Sequence, residues 1–197
     1  PAAAIPLPAD ESHITALDVT PEGIVYAGAG GRACHLLVGM FYGITGMVFD
    51  MGAVSGADHA AAVCCGREKF FAAVNGPDGG QLIGRALGPL PFDLIQEWHI
   101  SRLPLETLPW PLGPERIVHA VADAGREAAL VATEGHLLRV NIDAGTMDIL
   151  AELPARGRIA RGADGAVYGL DEDRTLWRCH VQAGLIERRA CTLPEGV

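Results

Sequence analysis

The sequence predicts an all-β protein: a β-propeller of four blades, each of up to four short antiparallel strands. The first observation behind this is a short apolar phrase, ending in small residues, that occurs four times. It reads Ile24-Val25-Tyr26-Ala27-Gly28, Lys69-Phe70-Phe71-Ala72-Ala73, Ala129-Leu130-Val131-Ala132-Thr133 and Ala166-Val167-Tyr168-Gly169-Leu170. The second is a companion phrase that follows each after a Gly or acidic turn: His35-Leu36-Leu37, Gln81-Leu82-Ile83, His136-Leu137-Leu138 and Thr175-Leu176-Trp177. The companion advances by 46, 55 and 39 residues. Short strands repeating at roughly 40–55 residues are what a propeller or similar array produces. The third is turn chemistry: Thr20-Pro21-Glu22-Gly23 carries Pro at the second position and Gly at the fourth of a tight turn.

Residues 1–12 are rich in Pro and Ala and read as an extended N-terminal arm. The propeller domain is expected over 13–197. In the first blade, about 13–55, strands are expected at 14–19, 24–27, 34–40 and 47–51, with Gly28-Ala29-Gly30-Gly31 as a glycine turn. The second blade is expected at 57–98, the third at 115–156 and the fourth at 157–194. Residues 99–114 hold several prolines and read as an elaborated connection, because proline cannot serve a central strand. Residues 92–100 fit a short helix or an outer strand. Within the connection, Trp110 stands between Pro109 and Pro111; it could anchor a partner or tuck back onto its own blades.

The chain has 197 residues and a formal net charge of -9, which argues against nucleic acid or an anionic membrane as partner, since both need a basic surface. No apolar run approaches the ~20 residues of a membrane helix. The N-terminus has no charged n-region and no apolar h-region, and its Pro1 reads most simply as left by initiator-Met removal, with an upstream cut as the alternative. Five cysteines, Cys34, Cys64, Cys65, Cys179 and Cys191, form no regular framework, which suits a reducing compartment. A cytoplasmic location is the expectation.

The run Asp18-Val19-Thr20-Pro21-Glu22-Gly23-Ile24-Val25-Tyr26-Ala27-Gly28 resembles repeats of the broad β-propeller superfamily, and Gly162-Ala163-Asp164-Gly165-Ala166-Val167-Tyr168-Gly169 is the nearest to them. His136-Leu137-Leu138-Arg139-Val140-Asn141-Ile142-Asp143-Ala144-Gly145 supplies the other half of the repeat. The resemblance runs from residue 13 onward and implies architecture. Such repeats occur in lyases, lactonases, quinone-dependent dehydrogenases and interaction modules, so it implies no mechanism. Four blades either close on themselves or form a half-ring completed by a second chain.

Three histidines occupy nearly one repeat position. His13 precedes Tyr26 by 13 residues; His59 and His119 precede Phe71 and Val131 by 12. The fourth repeat has Arg156 there. First strands line a propeller's channel, so His13, His59 and His119 could hold a divalent metal, and with Arg156 could form a catalytic rim. The plainer alternative is that they start strands at the solvent edge or bond neighbouring blades. His35 and His136 share a register that suggests a structural bond to a turn. Cys179 and His180 point to opposite faces of a strand and cannot act on each other. Asp171-Glu172-Asp173 lacks Ca²⁺-loop spacing.

No nucleophile elbow, zincin or P-loop motif is present. The favoured function is a non-catalytic binding or scaffolding subunit that contacts another protein chain or a second copy of itself; the residues point to no definite cofactor beyond the divalent metal that the histidines could hold. The alternative is a lyase or hydrolase with a histidine-lined, metal-assisted site at the channel.

Overall fold

The computed structural model describes residues 11–42, 45–87 and 105–192. Residues 1–10 of the expected arm and the ambiguous segment 92–100 lie outside them. The first sheet holds β1 (Glu11–Val19), β2 (Val25–Gly31), β3 (Cys34–Tyr42) and β4 (Thr45–Val54). The second holds β5 (His59–Cys65), β6 (Lys69–Gly76), β7 (Gly79–Ala86) and β8 (Glu106–Leu108). The third holds β9 (Ile117–Ala122), β10 (Ala128–Thr133), β11 (His136–Asn141) and β12 (Met147–Glu152). The fourth holds β13 (Ala160–Arg161), β14 (Val167–Leu170), β15 (Thr175–His180) and β16 (Leu185–Thr192). In each, neighbours in sequence are antiparallel neighbours in space; turns of a few residues join every such pair except β7 and β8, which residues 87–105 connect. The all-β expectation of four four-stranded units holds.

Three expectations need correcting. Glu11 and Ser12, read as the end of an arm, belong to β1. The outer strand of the second sheet lies inside the stretch 99–114 that reads as a connection: Glu106–Leu108 pairs with β7. A three-residue edge strand is what a proline-rich segment can still supply, because an edge needs hydrogen bonds on one side only. Gly28, Ala29 and Gly30 are not a turn but strand residues of β2, with Gly28 paired to Leu36 and Ala29 to His35. Their smallness serves packing. A Cβ at Gly28 would overlap that of Ala60 in β5, and one at Gly30 would lie 2.9 Å from Thr15 Cγ2 and 3.1 Å from His59 Cβ.

The first hairpin of each sheet turns as its residues require. Gly23, at φ +86°, closes the Thr20 turn by donating to Thr20 O at 2.9 Å. The last backbone bond before each turn runs from Thr20 to Ile24, Gly66 to Lys69, Asp123 to Ala128 and Gly162 to Ala166. Counting two residues on from these closures gives the structurally equivalent positions Tyr26, Phe71, Leu130 and Tyr168. The third is one residue away from Val131, the position that sequence counting aligned. Tyr26, Phe71 and Leu130 are each buried against the following sheet, in three successive cores. Tyr26 meets Phe70 of the second sheet with ring centroids 4.4 Å apart. Tyr168 is only half-buried, and its hydroxyl donates to Asp164 at 2.7 Å. Among the described residues no further sheet packs on its face.

Among the described residues, three hydrophobic cores therefore join four sheets, and none joins the fourth to the first. The cluster of Ala27, Ala29 and Leu37 on the opposite face of the first sheet involves that sheet alone. In the fourth sheet the inward face carries Val167, Trp177 and Cys179. Gly169 makes room there, since a Cβ would overlap the Trp177 ring.

Polar ties reinforce the second-to-third junction. Asn75 donates to Ile117 O at 2.7 Å and accepts from Ile117 N at 2.9 Å. Glu115 receives the Thr133 hydroxyl, the Gly135 amide at 2.6 Å and His136 Nδ1 at 2.8 Å. His35 is held likewise, 2.9 Å from Asp50. Both histidines are tied to carboxylates rather than to a turn: Asp50 lies in β4 and Glu115 just before β9. Burial alone would raise the Glu115 pKa, but bonds from Thr133, His136 and Gly135 outweigh it and hold the carboxyl below its usual range.

Two outcomes follow. Gly28→Ala lowers stability by about 1–3 kcal/mol through overpacking, and Ala60→Gly in the same chain recovers part of the loss; equilibrium unfolding in urea measures both. For Glu115 the folded pKa is depressed, so its contribution is complete above the ordinary carboxylate pKa and is lost as pH falls through the folded value. Between those limits the unfolded chain takes up a proton that the folded chain refuses. Glu115→Ala lowers Tm at neutral pH by about 4–8 °C, for a loss of about 2 kcal/mol. The gap between the two proteins narrows on acidification in a thermal melt.

Candidate functional site

The innermost strands β1, β5, β9 and β13 each lie at one end of their sheet's strand order. Their unpaired edges carry backbone N–H and C=O groups that the ladders do not satisfy. Three of these edges enclose a cavity of about 520 Å³, within the range of small-molecule sites. Its walls are 14–18 of β1, 61–63 of β5 and 119–122 of β9, with Arg126, Arg158 and Arg161 from the turns and the fourth sheet.

Asp18 is the one carboxylate on that wall among the described residues. It accepts from Cys65 N at 2.8 Å and from Arg126 at 2.9 and 3.3 Å, and Arg126 also donates to Cys65 O at 3.0 Å. One cluster thus touches the first three sheets. The Asp123 turn makes this reach possible: Asp123 Oδ1 accepts from Glu127 N at 3.0 Å and Ala128 N at 3.3 Å, and Arg126 sits at φ +55°. Arg161 donates to the carbonyls of Ala122 and Asp123 at 3.3 and 2.9 Å. Arg158 is exposed. Neither Arg158 nor Arg161 forms an ion pair among the described residues.

His119 lines the same cavity. Its Nδ1 is buried without a hydrogen-bond partner. Burial first, and then the Arg158 guanidinium, hold its pKa below the usual imidazole value against a bond to the Ile159 backbone.

The other histidines lie elsewhere. His13 is the third residue of β1, exposed, and His59 opens β5 with Nδ1 against the neighbouring Asp58 carboxylate. Neither lines the cavity. The ladders explain why. His13 pairs with Gly30 and His59 with Asn75, six positions from the closing residues Ile24 and Lys69, whereas His119 pairs with Ala132, four positions from Ala128. His119 is thus displaced by two ladder steps, about 7 Å along the strand. Equal spacing in sequence does not give equal height, because the third hairpin turn is longer. Among the described residues no group of three or more His, Cys, Asp or Glu side chains is placed to hold a metal. The metal site expected from His13, His59 and His119 is not assembled.

Arg156 is also apart, in a shallow hollow with Glu134, Pro154, Ala155 and Glu172. Trp110 packs half-buried on the core between the second and third sheets with its indole nitrogen buried, so it is not presented as an exposed anchor. Cys34, Cys64, Cys65 and Cys179 are buried free thiols. Burial pushes Cys64 and Cys65 far up, with the Asp18 charge adding to it, and raises Cys179 to about 11, so none of these three supplies a thiolate nucleophile. Asp171 accepts from Thr175 N at 2.8 Å and closes a hairpin turn.

Repeat counting missed Asp18, Arg126, Arg158 and Arg161. The signal was there in part: Arg156, Arg158 and Arg161 fall within six residues of a chain that is strongly acidic overall.

No family model and no curated protein matches the chain. Solved structures do. A catalytically inactive virginiamycin B lyase from Staphylococcus aureus, solved with quinupristin, matches with a TM-score of 0.65 at 11% identity, over 98% of this chain and 59% of that one. The extracellular domain of the one-component system BT4673 from B. thetaiotaomicron matches with a TM-score of 0.57 at 12% identity, over 95% of this chain and 23% of that one. Apo AztD from Citrobacter koseri matches with a TM-score of 0.55 at 15% identity, over 88% and 45%. The chain thus spans less than two thirds of the length of each. Its four antiparallel sheets are structurally similar to those of β-propeller proteins, a likeness that at such identities establishes the fold alone.

Proposed function

We propose that the chain is a non-catalytic binding and scaffolding unit of propeller type, whose array of blades is completed by a second copy of itself. The observation that carries this reading is Tyr168. Its three equivalents, Tyr26, Phe71 and Leu130, are each buried by the next sheet, while Tyr168 is left half-buried on the far face of the last one. The opposite end offers a complementary surface. Leu17 and Val19 of β1 are 60% and 38% exposed, and they share a face with their cross-strand partners Ala27 and Val25. Two copies related by a twofold axis would set each Tyr168 face on the other copy's Leu17 face, giving two equivalent contacts and a closed array. The lyase or hydrolase alternative needs its three histidines at one height, and their two-step offset counts against it.

Light scattering on the purified chain tests the reading. The expected native mass is twice the chain's 20.7 kDa, and Leu17→Asp with Val19→Asp returns it to the single-chain value without loss of sheet signal in circular dichroism. A wild-type protein that stays at the single-chain mass across the accessible concentration range contradicts it.

A further inference from the structure

We infer that the cavity between the inner strands binds a small organic anion, a molecule with carboxylate or phosphate groups on a short carbon skeleton. The proposal concerns the inner-strand wall of a single chain, and its test reads ligand binding rather than assembly.

The first ground is charge. Among the described residues three arginines and one carboxylate line the cavity, in a chain whose formal net charge is -9. Asp18 is already engaged by Arg126. That leaves Arg158 and Arg161 facing the same space without a carboxylate partner among the described residues. Guanidinium groups so arranged repel one another, and an oxyanion between them offsets the repulsion while accepting two hydrogen bonds from each planar fork. A concave wall of one sign also concentrates anions from solution.

The second ground is the supply of further polar groups. The lining stretches of β1, β5 and β9 are sheet edges, whose unladdered amides can donate to an anion. His119 lines the same wall, with its buried Nδ1 without a hydrogen-bond partner among the described residues. The third is shape. Ile14, Ala61 and Val63 give part of the wall an apolar character suited to a hydrocarbon skeleton, and about 520 Å³ is room for a small metabolite rather than for a chloride ion alone. Carboxylate and phosphate share the recognising chemistry, so the probes must separate them.

Isothermal titration of the full chain with citrate and, separately, with inorganic phosphate, at ionic strength held constant with NaCl, tests the proposal. Saturable binding of one ligand per chain is expected for at least one probe, and the probe that binds identifies the group recognised. Arg158→Ala should weaken it about tenfold, the loss of one charge-assisted contact. Arg161→Ala should act similarly, and Arg156→Ala, in a separate hollow, should leave it unchanged. Arg158 is exposed and forms no ion pair among the described residues, so Arg158→Ala and Arg158→Glu should keep the wild-type melting temperature without ligand. Absence of saturable binding by both probes would overturn the proposal. So would binding that survives undiminished in both Arg158 variants, or that falls equally in Arg156→Ala.

Discussion

The contact among Asp18, Cys65 and Arg126 is the constraint on which the arrangement of sheets turns. These residues come from three different sheets, and Asp18 and Arg126 are 108 positions apart in the chain. They can meet only if the sheets fan about one axis with their first strands inward. Both charges are about one-fifth exposed, so each is partly stripped of water and relies on the other. Asp18 carries the junction because it also receives the Cys65 amide, an edge group of β5 that would otherwise stand unpaired.

Small residues make that approach possible. Gly28 and Gly30 in β2 lie against Ala60 and His59 of the next sheet, and larger side chains there would hold the sheets apart. The same economy recurs at the far end, where Gly169 yields its space to Trp177. Large apolar residues then fill what the glycines leave: Tyr26 against Phe70, Phe71 in the second core and Leu130 in the third. Alternation along the strands divides each blade between its two neighbours, so a single repeated phrase builds successive cores.

The repeated phrases made the four sheets legible, because period-2 strands and Gly or acidic turns act locally. The Gly28–Gly30 stretch was misread for the same reason: a glycine needed for close packing looks, in sequence, like one needed for a turn. The site was less legible. Its histidine register depends on the length of the third hairpin turn, and a shift of two ladder steps removes His119 from the level of His13 and His59. The arginines of the cavity come from the turn after β9, from the approach to the fourth sheet and from β13, positions that carry no repeat signal. Long-range contacts hold two of them there: Arg126 to Asp18, and Arg161 to the carbonyls of Ala122 and Asp123.

The most direct measurement of this account is a double-mutant cycle on that pairing. Asp18→Ala, Arg126→Ala and the double variant would be unfolded in urea. The account predicts a coupling of about 1 kcal/mol or more, since the two side chains share one hydrogen-bonded cluster. Effects that add to within about 0.3 kcal/mol would mean that the first and third sheets do not meet at a common axis.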